Sequence, residues 1–476
     1  MAELYLGPVV GGLSHQRAFL WGRSLPAPGE VQELHAWLGR TPDLSDARLA
    51  GRSLPLVPQQ GYAGVAPLQD LTPATRYFYA LTLSAEPPAP GGDYPSFKTF
   101  PEPGEAVDFN FAFGSCFRPE DESGGQIFHA LEARRREEAG DLRFLLMIGD
   151  QVYCDDYKYN RLGKVAETLD EYRAVYAYVW SRPPLQQLLY NLPAFMTLDD
   201  HEVDDDWRWS DAQRSRATIP WWDGLARWLG GRPAAERVLT LGRVRNALQA
   251  YWEHQGMHAP PMPAPLQLDA AGQYNLAPQD AGSLAYTFEY GAAGFFVLDT
   301  RSMRVCGSGQ RSMLGEGQWQ MLKDWLLREE PRVKFIVSSC SLLFYLWIDI
   351  ARDRWSGFPG ERDQLLHFLA ANHIQNVYVL TGDLHSAHAV HAELYGREQA
   401  ALPLREFCSS PFEQQTNRLS PYFRLPIRNG LFKAQDCRWV VTRPNFGVVH
   451  VTYEGTGDPV VQFKLYGKEG ELLGEA

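Results

Sequence analysis

Hydrophobic and polar residues follow two different patterns along the chain, and the pattern changes near residue 104. After that point, short apolar runs typical of buried strands alternate with amphipathic stretches whose apolar residues recur at helical spacing. The predicted strands are residues 107–114, 142–149, 194–198, 294–298, 334–339 and 376–380. The predicted helices are residues 126–136, 169–179, 239–253, 317–328 and 362–372. This alternation predicts an α/β layered domain, in which ligands bind at the carboxyl ends of the strands.

The two ends of this alternating region show different patterns. Beyond about residue 440 the helical pattern fades, and residues 446–453 and 460–466 are predicted to be edge strands that close the sheet. Residues 204–235 and 259–283 are rich in Trp, Pro and Asp, which predicts loop insertions around a site.

The first 104 residues are rich in Pro and Gly and carry short runs of β-favouring residues separated by turn signals. This pattern predicts a small β-sandwich. Residues 71–79 (LTPATRYFY) resemble the strand entry of fibronectin type III domains, in which a tyrosine makes a corner hydrogen bond. The alternative is an unrelated β-rich cap. Residues 101–105 (PEPGE) are predicted to be a linker, so the expected domains are residues 1–104 and 105–476.

Composition narrows the class of protein. A chain of 476 residues that is 45% hydrophobic predicts two or three globular domains. The balance of 57 acidic against 45 basic residues, a net charge of -12, disfavours a protein that binds nucleic acid by neutralising phosphates. Six scattered cysteines without a CxxC pair predict neither a disulfide scaffold nor a structural zinc site. No signal peptide and no apolar run of about 18 residues is visible, so a cytoplasmic protein without a transmembrane segment is expected.

The most informative residues are those that directly follow the predicted strands. The strand ends carry residues 114–118 (GSCFR), 149–153 (GDQVY), 199–207 (DDHEVDDDW) and 382–385 (GDLH). If the sheet forms as predicted, these ends lie at one edge and bring thiol, carboxylate, phenol and imidazole groups together. All four groups bind metals, and carboxylates clustered without cations would repel one another. The sequence therefore predicts a nest that holds two cations.

Each of these groups also has an ordinary structural interpretation. Asp150 alone would suit a helix cap, and Cys116 alone is typical of an inert core thiol. Tyr153 would be a buried hydroxyl or, as a hard oxygen donor, a ligand of a trivalent ion such as Fe(III). The acidic run would ordinarily be a solvated loop. Asp383 and His385 form the sharpest signal, because their spacing places two ligand types on one side of an extended segment.

Taken together and in this order, GDQVY, DDHE and GDLH resemble the metallophosphoesterase superfamily, and the GDxxY form resembles its purple-acid-phosphatase-like side. More closely, the chain resembles the PhoD-like alkaline phosphatase D family over about residues 108–453. The further residues that carry this resemblance are 113–116 (FGSC), 298–304 (LDTRSMR), 313–319 (MLGEGQW), 353–359 (DRWSGFP) and 408–411 (CSSP). The resemblance implies an αββα metallophosphoesterase sandwich of two sheets flanked by helices, after an N-terminal β-sandwich domain.

The resemblance also implies a set of ligands. A trivalent iron ion would be bound by Cys116 and Tyr153, and Asp150 would bridge it to a second ion, expected to be Ca, Mn or Zn. The other implied metal ligands are Asp200, Asp206, Asp383 and His385. Two further residues have implied catalytic roles: His201 would face the phosphate and serve as a general acid, and Arg118 would hold a phosphate oxygen with its planar fork.

The implied function is hydrolysis of phosphate monoesters or diesters by a metal-bound hydroxide. Three alternatives stay open: a diesterase or phospholipase D-like activity only, a metal-binding interaction protein without turnover, and a hydrolase of carbon esters. The sequence departs from the family in two ways. Residues 204–206 (DDD) stand where the family usually has Asn, which would favour a different divalent ion at Asp206, and the chain lacks the twin-Arg export signal of many members.

Overall fold

The structure is a computed structural model that describes residues 4–26, 29–137, 142–207, 239–262, 267–268, 274–275, 283–306, 311–346, 353–396, 400–455 and 459–476. Within these ranges the chain forms a mixed α/β architecture, as the sequence pattern predicts. The αββα sandwich, the fibronectin-like domain and the domain boundaries stay predictions.

One sheet has six strands, all of which follow residue 105. Its order is Ala194–Thr197, Leu142–Ile148, Phe109–Gly114, Asn445–Thr452, Val460–Gly467 and Leu472–Glu475. The first three strands run parallel, and the last three join antiparallel. The carboxyl ends of the three parallel strands therefore lie along one edge.

The other large sheet has seven strands. Its order is Tyr286–Tyr290, Ala293–Val297, Val333–Ser338, Val377–Thr381, Ala401–Cys408, Ala387–Tyr395 and Phe432–Val441. The four strands from Ala293–Val297 to Ala401–Cys408 pair in parallel, and the outer strands join antiparallel. Parallel strands are buried on both faces of the sheet, which explains why these segments are nearly continuous apolar runs.

A layer of aromatic rings joins the two large sheets. Side chains alternate between faces along a strand, so Phe109, Phe111 and Phe113 point to this layer while Ala112 points to the opposite face. The ring of Phe111 lies 5.3 Å from that of Phe295 and 5.4 Å from that of Phe335, edge to face in both cases. This packing fixes the strand ends of both sheets relative to each other.

The helices begin and end close to the predicted positions. Their bounds are Gln126–Glu137, Leu169–Trp180, Pro183–Asn191, Leu241–His254, Gly315–Leu326, Pro359–Ala371 and Ser420–Phe423. Thr168 starts one of them with a capping box to Glu171. The helix Pro183–Asn191 was missed, although a proline in its first turn and buried Leu185 and Leu188 are typical signals. Short 3₁₀ segments are Pro58–Gln60, Gly256–His258 and Trp355–Gly357.

The N-terminal residues form two smaller antiparallel sheets. Their strands are Leu6–Gly11, Ala18–Arg23 and Ala63–Leu68 in one sheet, and Arg48–Arg52, His35–Gly39, Arg76–Thr82 and Ser96–Lys98 in the other. The hydroxyl of Tyr77 accepts a hydrogen bond from the backbone N–H of Thr72 at 2.9 Å. This is the kind of tyrosine bond that the resemblance of residues 71–79 implies. Three isolated two-stranded pairs complete the strands: Gln267–Leu268 with Tyr274–Asn275, Val305–Cys306 with Arg311–Ser312, and Tyr345–Leu346 with Arg424–Leu425.

The two N-terminal sheets pack directly on helices that follow residue 105. Trp21 is completely buried, its ring meets Trp180 edge to face at 5.4 Å, and its Nε1 donates to the carbonyl of Glu253 at 2.8 Å. The hydroxyl of Tyr79 donates to the carbonyl of Tyr190 at 2.8 Å. These contacts join the N-terminal strands to the helices that follow residue 105.

The predicted edge strands and the predicted loop insertions can also be compared with the structure. The prediction that residues 446–453 and 460–466 form edge strands was wrong. Asn445–Thr452 lies between Phe109–Gly114 and Val460–Gly467, and Val460–Gly467 pairs in turn with Leu472–Glu475. Apolar alternation marks a strand but does not reveal its neighbours. Most of the two predicted insertions lies outside the described residues. Among the described helices, none is long and apolar enough to cross a membrane.

Candidate metal centre

Four strand ends converge at one edge of the two large sheets. Cys116, Asp150 and Asp200 follow the three parallel strands of the first sheet, and Asp383 follows Val377–Thr381 of the second. Two glycines permit the close approach of these loops. A Cβ on Gly149 would lie 2.5 Å from the Cβ of Asp199, and one on Gly382 would lie 2.5 Å from the Oγ of Ser115. The glycines of the GD pairs therefore serve loop packing.

The first group of candidate ligands combines a thiol, a carboxylate, a phenol and an imidazole. The Sγ of Cys116 lies 3.4 Å from Oδ2 of Asp150, and the hydroxyl of Tyr153 lies 3.2 Å from the same oxygen. The Tyr153 hydroxyl is also 3.1 Å from Nε2 of His385. Atoms of Cys116, Asp150 and His385 all lie within 4.8 Å of one another, as a metal ion would require.

Two serines tie this group together across the sheets. The Oγ of Ser115 accepts the backbone N–H of Asp383 at 3.1 Å, and the Oγ of Ser410 accepts the backbone N–H of His385 at 3.1 Å. Both hydroxyl groups also contact the Sγ of Cys116, at 3.2 and 3.3 Å. The FGSC and CSSP segments thus hold the GDLH loop over the first ligand group.

A second group of candidate ligands shares Asp150 with the first. Asp150, Asp199, Asp200 and Asp383 offer oxygens within 4.8 Å of one another, and so do Asp200, Asp206 and Asp353. Asp206 is fixed by its backbone N–H, which donates to Oδ2 of Asp200 at 2.8 Å. Asp150 is the only acid common to the thiol-containing group and the carboxylate group among the described clusters.

The backbone is left-handed at most of the predicted metal ligands. The φ angle is 62° at Cys116, 56° at Asp150, 58° at Asp206, 62° at Asp383 and 53° at His385. Residues other than glycine rarely adopt this conformation, and it costs about 1–3 kcal/mol at each position. Such strain clusters at ligand-binding sites, because the surrounding fold must hold each side chain in place.

The electrostatics of these groups favour a bound cation. Burial raises the pKa of the Asp150 carboxyl well above its ordinary value, and Asp200, Asp199 and Glu202 raise it further. Burial, Asp150 and Asp383 likewise raise the pKa of the Cys116 thiol. Burial lowers the pKa of His385 to about 3, which leaves its imidazole neutral and able to bind metal. These residues fit metal ions, since a cation would stabilise the anionic forms that burial otherwise opposes.

A buried cluster of arginines and aspartates supports the second ligand group, and sequence reasoning assigned it no role. Arg301 is completely buried and forms a fork to both oxygens of Asp353 at 2.6 and 2.8 Å. Its Nε donates to Oδ1 of Asp199 at 2.5 Å. Arg304 also pairs with Asp353. The LDTRSMR and DRWSGFP segments of the family resemblance were the only sequence signal for this cluster.

Glu202 fixes the loops that carry Asp150 and Asp199 by hydrogen bonds to their backbone. It is completely buried, and its two carboxylate oxygens accept the backbone N–H groups of Asp150, Gln151 and Asp199 at 2.7–3.2 Å. Gln255 donates to Glu202 at 3.3 Å and to the Tyr176 hydroxyl at 3.1 Å. The helices that contact the N-terminal sheets are therefore connected to the loops that carry the candidate metal ligands.

A polar cavity of about 470 Å³ opens above the ligand groups. Seven of the nine predicted site residues line it: Arg118, Tyr153, Asp200, His201, Asp206, Asp383 and His385. The other two, Cys116 and Asp150, lie buried beneath it. Asp353, Arg354 and residues 414–417 complete most of the wall. The structure thus brings all nine predicted residues together.

His201 and Arg118 are held by acidic partners at the cavity wall. Burial lowers the pKa of His201, but Asp155, Asp200 and Asp150 raise it by more, so the net pKa lies well above its ordinary value. Nη1 of Arg118 pairs with Asp156, and its guanidinium stacks 4.0 Å from the ring of Tyr159. Both cationic side chains are therefore fixed before any substrate binds.

Comparison with known proteins agrees with this geometry. The model of a family described as PhoD-like phosphatase matches residues 111–461. The chain belongs to the PhoD-like phosphatase family. Alkaline phosphatase D of Bacillus subtilis (strain 168) is 27% identical over 328 residues, which are 61% of this chain and 48% of that protein. The chain therefore spans about half the length of this curated relative.

A solved structure described as "Structure of PhoD" shares the fold. It is 20% identical, has a TM-score of 0.67, and the match covers 99% of this chain and 92% of that one. The family match contains every residue of the candidate metal centre. PhoD-like phosphatases depend on metal ions, and this chain carries acidic, thiol and imidazole clusters suited to binding them.

Proposed function

We propose that this chain hydrolyses phosphate esters at a site that holds two metal ions. The observation that carries the proposal is the shared position of Asp150, whose carboxylate belongs both to the group with Cys116 and His385 and to the group with Asp200. The thiol, phenol and imidazole of the first group suit Fe(III), and the oxygen-rich second group suits Ca, Mn or Zn. Asp206 and Asp383 belong to the second group.

Metal ions bound there would polarise a phosphoryl group and would lower the pKa of a bound water towards neutrality. The protein itself contributes orientation and charge. The carboxylates are held by backbone N–H groups and by Arg301, so the site needs little rearrangement during the reaction. Arg118 would place its planar guanidinium against phosphate oxygens from the cavity wall.

His201 is the proposed general acid. Its Nδ1 bonds to Asp155, whereas its Nε2 lies 4.0 Å from Oδ1 of Asp205, too far for a hydrogen bond, so Nε2 would face the leaving group. A proton carried at Nε2 would pass to the departing alkoxide oxygen. The ring of Tyr153 lies 4.2 Å from that of His201 and keeps it in this orientation.

A substrate panel tests the proposal. Metal-loaded protein should release p-nitrophenol from p-nitrophenyl phosphate, from bis-p-nitrophenyl phosphate, or from both, and the ratio of the two rates would distinguish a monoesterase from a diesterase. His201→Ala should retain the metal content and lose turnover. Full metal content without hydrolysis of either ester would favour the alternative of a metal-binding interaction protein. Turnover of p-nitrophenyl acetate alone would favour a carbon-ester hydrolase.

A further inference from the structure

Arg354 stands at the cavity between two residues that are rigidly fixed. On one side, Asp353 receives the fork of Arg301 at 2.6 and 2.8 Å. On the other, the completely buried Trp355 donates from Nε1 to the Oγ of Ser338 at 3.1 Å. The backbone of Arg354 is therefore held from both neighbours, which limits where its side chain can reach.

The side chain of Arg354 lines the same cavity as Arg118 and His201. Its Nε lies 2.9 Å from Oδ2 of Asp383, and 21% of the side chain is exposed. A guanidinium carries five N–H donors in a fixed fork, so it can bind a carboxylate and a phosphate at the same time. The position beside Asp383 places this fork next to the proposed metal ligands.

Carboxylates outnumber the cationic side chains at the cavity wall. Six carboxylates line the wall, those of Asp156, Asp200, Asp205, Asp206, Asp353 and Asp383. Arg118 is paired with Asp156 and lies 3.8 Å from Glu120, so neighbouring carboxylates offset much of its charge. A phosphate anion entering this cavity would meet repulsion from these carboxylates, and a guanidinium at Arg354 would add to the countercharge of His201, Arg118 and bound metal ions.

We propose that Arg354 is a substrate-binding residue that holds the phosphoryl group beside Asp383. Arg118, which is paired with Asp156, contacts the same phosphoryl group from its own position on the cavity wall. This inference rests on the proposed hydrolysis of phosphate esters. Because the phosphoryl group is common to monoesters and diesters, Arg354 acts on both substrate classes.

Binding of inorganic phosphate to the metal-loaded protein, measured by calorimetry, tests the inference without relying on turnover. Arg354→Gln should weaken phosphate binding by about 10- to 100-fold, as expected for loss of hydrogen bonds to a charged group. Arg354→Lys keeps the charge but loses the fork, so its affinity should fall between those of wild type and Arg354→Gln.

Arg328→Gln is the matched control. Arg328 is also ion-paired, to Glu289 at 2.7 Å, but it precedes the strand Val333–Ser338, whose other end faces the cavity. This variant should bind phosphate as wild type does. Elemental analysis of each variant completes the experiment, because Arg354 contacts a proposed ligand.

The outcomes separate the inference from the function on which it rests. Weakened phosphate binding by Arg354→Gln with wild-type metal content supports the inference. Unchanged binding by Arg354→Gln, or metal loss in both Arg354 variants, would overturn it and assign Arg354 only to holding Asp383. Absence of phosphate binding by metal-loaded wild type would contradict the proposed function as well.

Discussion

Both carboxylate oxygens of Asp155 lie within hydrogen-bonding distance of Nδ1 of His201, at 2.9 and 3.0 Å. Asp155 is itself fixed, since its Oδ2 accepts the backbone N–H of Asp205 at 3.1 Å. A carboxylate in this position selects the ring orientation in which Nε2 is directed away from Asp155. Asp155 is not among the residues that line the cavity, so we expect it to act on the reaction only by positioning His201, the proposed general acid.

Removing this support should slow turnover without emptying the metal site. We expect Asp155→Ala to lower kcat by about 10- to 100-fold, the cost of one hydrogen bond between charged groups. Asp155→Asn retains an acceptor and should lose less. Steady-state kinetics with p-nitrophenyl phosphate measure the effect, while KM and metal content should stay near wild type. Equal kcat in Asp155→Ala and wild type would contradict the positioning role.

Tyr153 gives a direct test of the iron ligand. Tyr153→Phe removes the phenol oxygen but keeps the ring against His201, so it should reduce bound Fe(III) strongly and leave the fold intact. Tyr286→Phe is a control, because the Tyr286 hydroxyl is buried and donates only to the carbonyl of Met196 at 2.8 Å among the described bonds. It should lose about 1 kcal/mol of stability and no iron. Iron content equal in both variants would remove Tyr153 from the ligand set.

The pH dependence of stability should carry a signature of His258. Burial lowers the pKa of His258 from about 6.5 to about 4 in the folded protein. The unfolded chain therefore binds more protons between about pH 4 and pH 6.5, and stability falls as the pH falls through this window. His258→Gln removes this term, so its loss of unfolding free energy from pH 7 to pH 5 should be smaller by about 2 kcal/mol. Urea unfolding at both pH values measures it. Parallel curves for the variant and wild type would contradict the assignment.

The N-terminal sheets should be needed for full stability. Trp21 fills the contact with Trp180 and the helix Leu241–His254, and Trp21→Ala should cost about 3–5 kcal/mol in the free energy of unfolding. Leu54→Ala is the control, because Leu54 lies in the same N-terminal region but is exposed, and it should change the free energy of unfolding by less than about 0.5 kcal/mol. Denaturant unfolding compares the two. A Trp21→Ala cost as small as that of the control would argue that the N-terminal strands fold independently of the rest.

Strand ends and their polar residues could be predicted from the sequence because both follow from local patterns. An apolar run followed by Gly149-Asp150 or by Gly382-Asp383 places a carboxylate at a strand end, and parallel pairing brings such ends to one edge. The nine residues assigned to the site on this basis and on the family resemblance converge in the structure. Their roles as ligands or catalysts stay proposals.

Long-range partners could not be predicted in this way. Asp155 meets His201, and Arg301 meets both Asp199 and Asp353, only because separate loops fold against one another. A lone buried arginine or aspartate has no local signature. The neighbours of a strand within its sheet could not be predicted for the same reason. Alternation in Asn445–Thr452 marks a strand but cannot show that this strand lies between two others.

The central claim is that Asp150 joins two metal ions, and the metal count per chain in wild type and Asp150→Asn tests it most directly. Elemental analysis after reconstitution should find two ions per chain in wild type, one of them iron, and loss of both in the variant. A wild-type protein that takes up no metal, or an Asp150→Asn variant that retains both ions, would contradict the account.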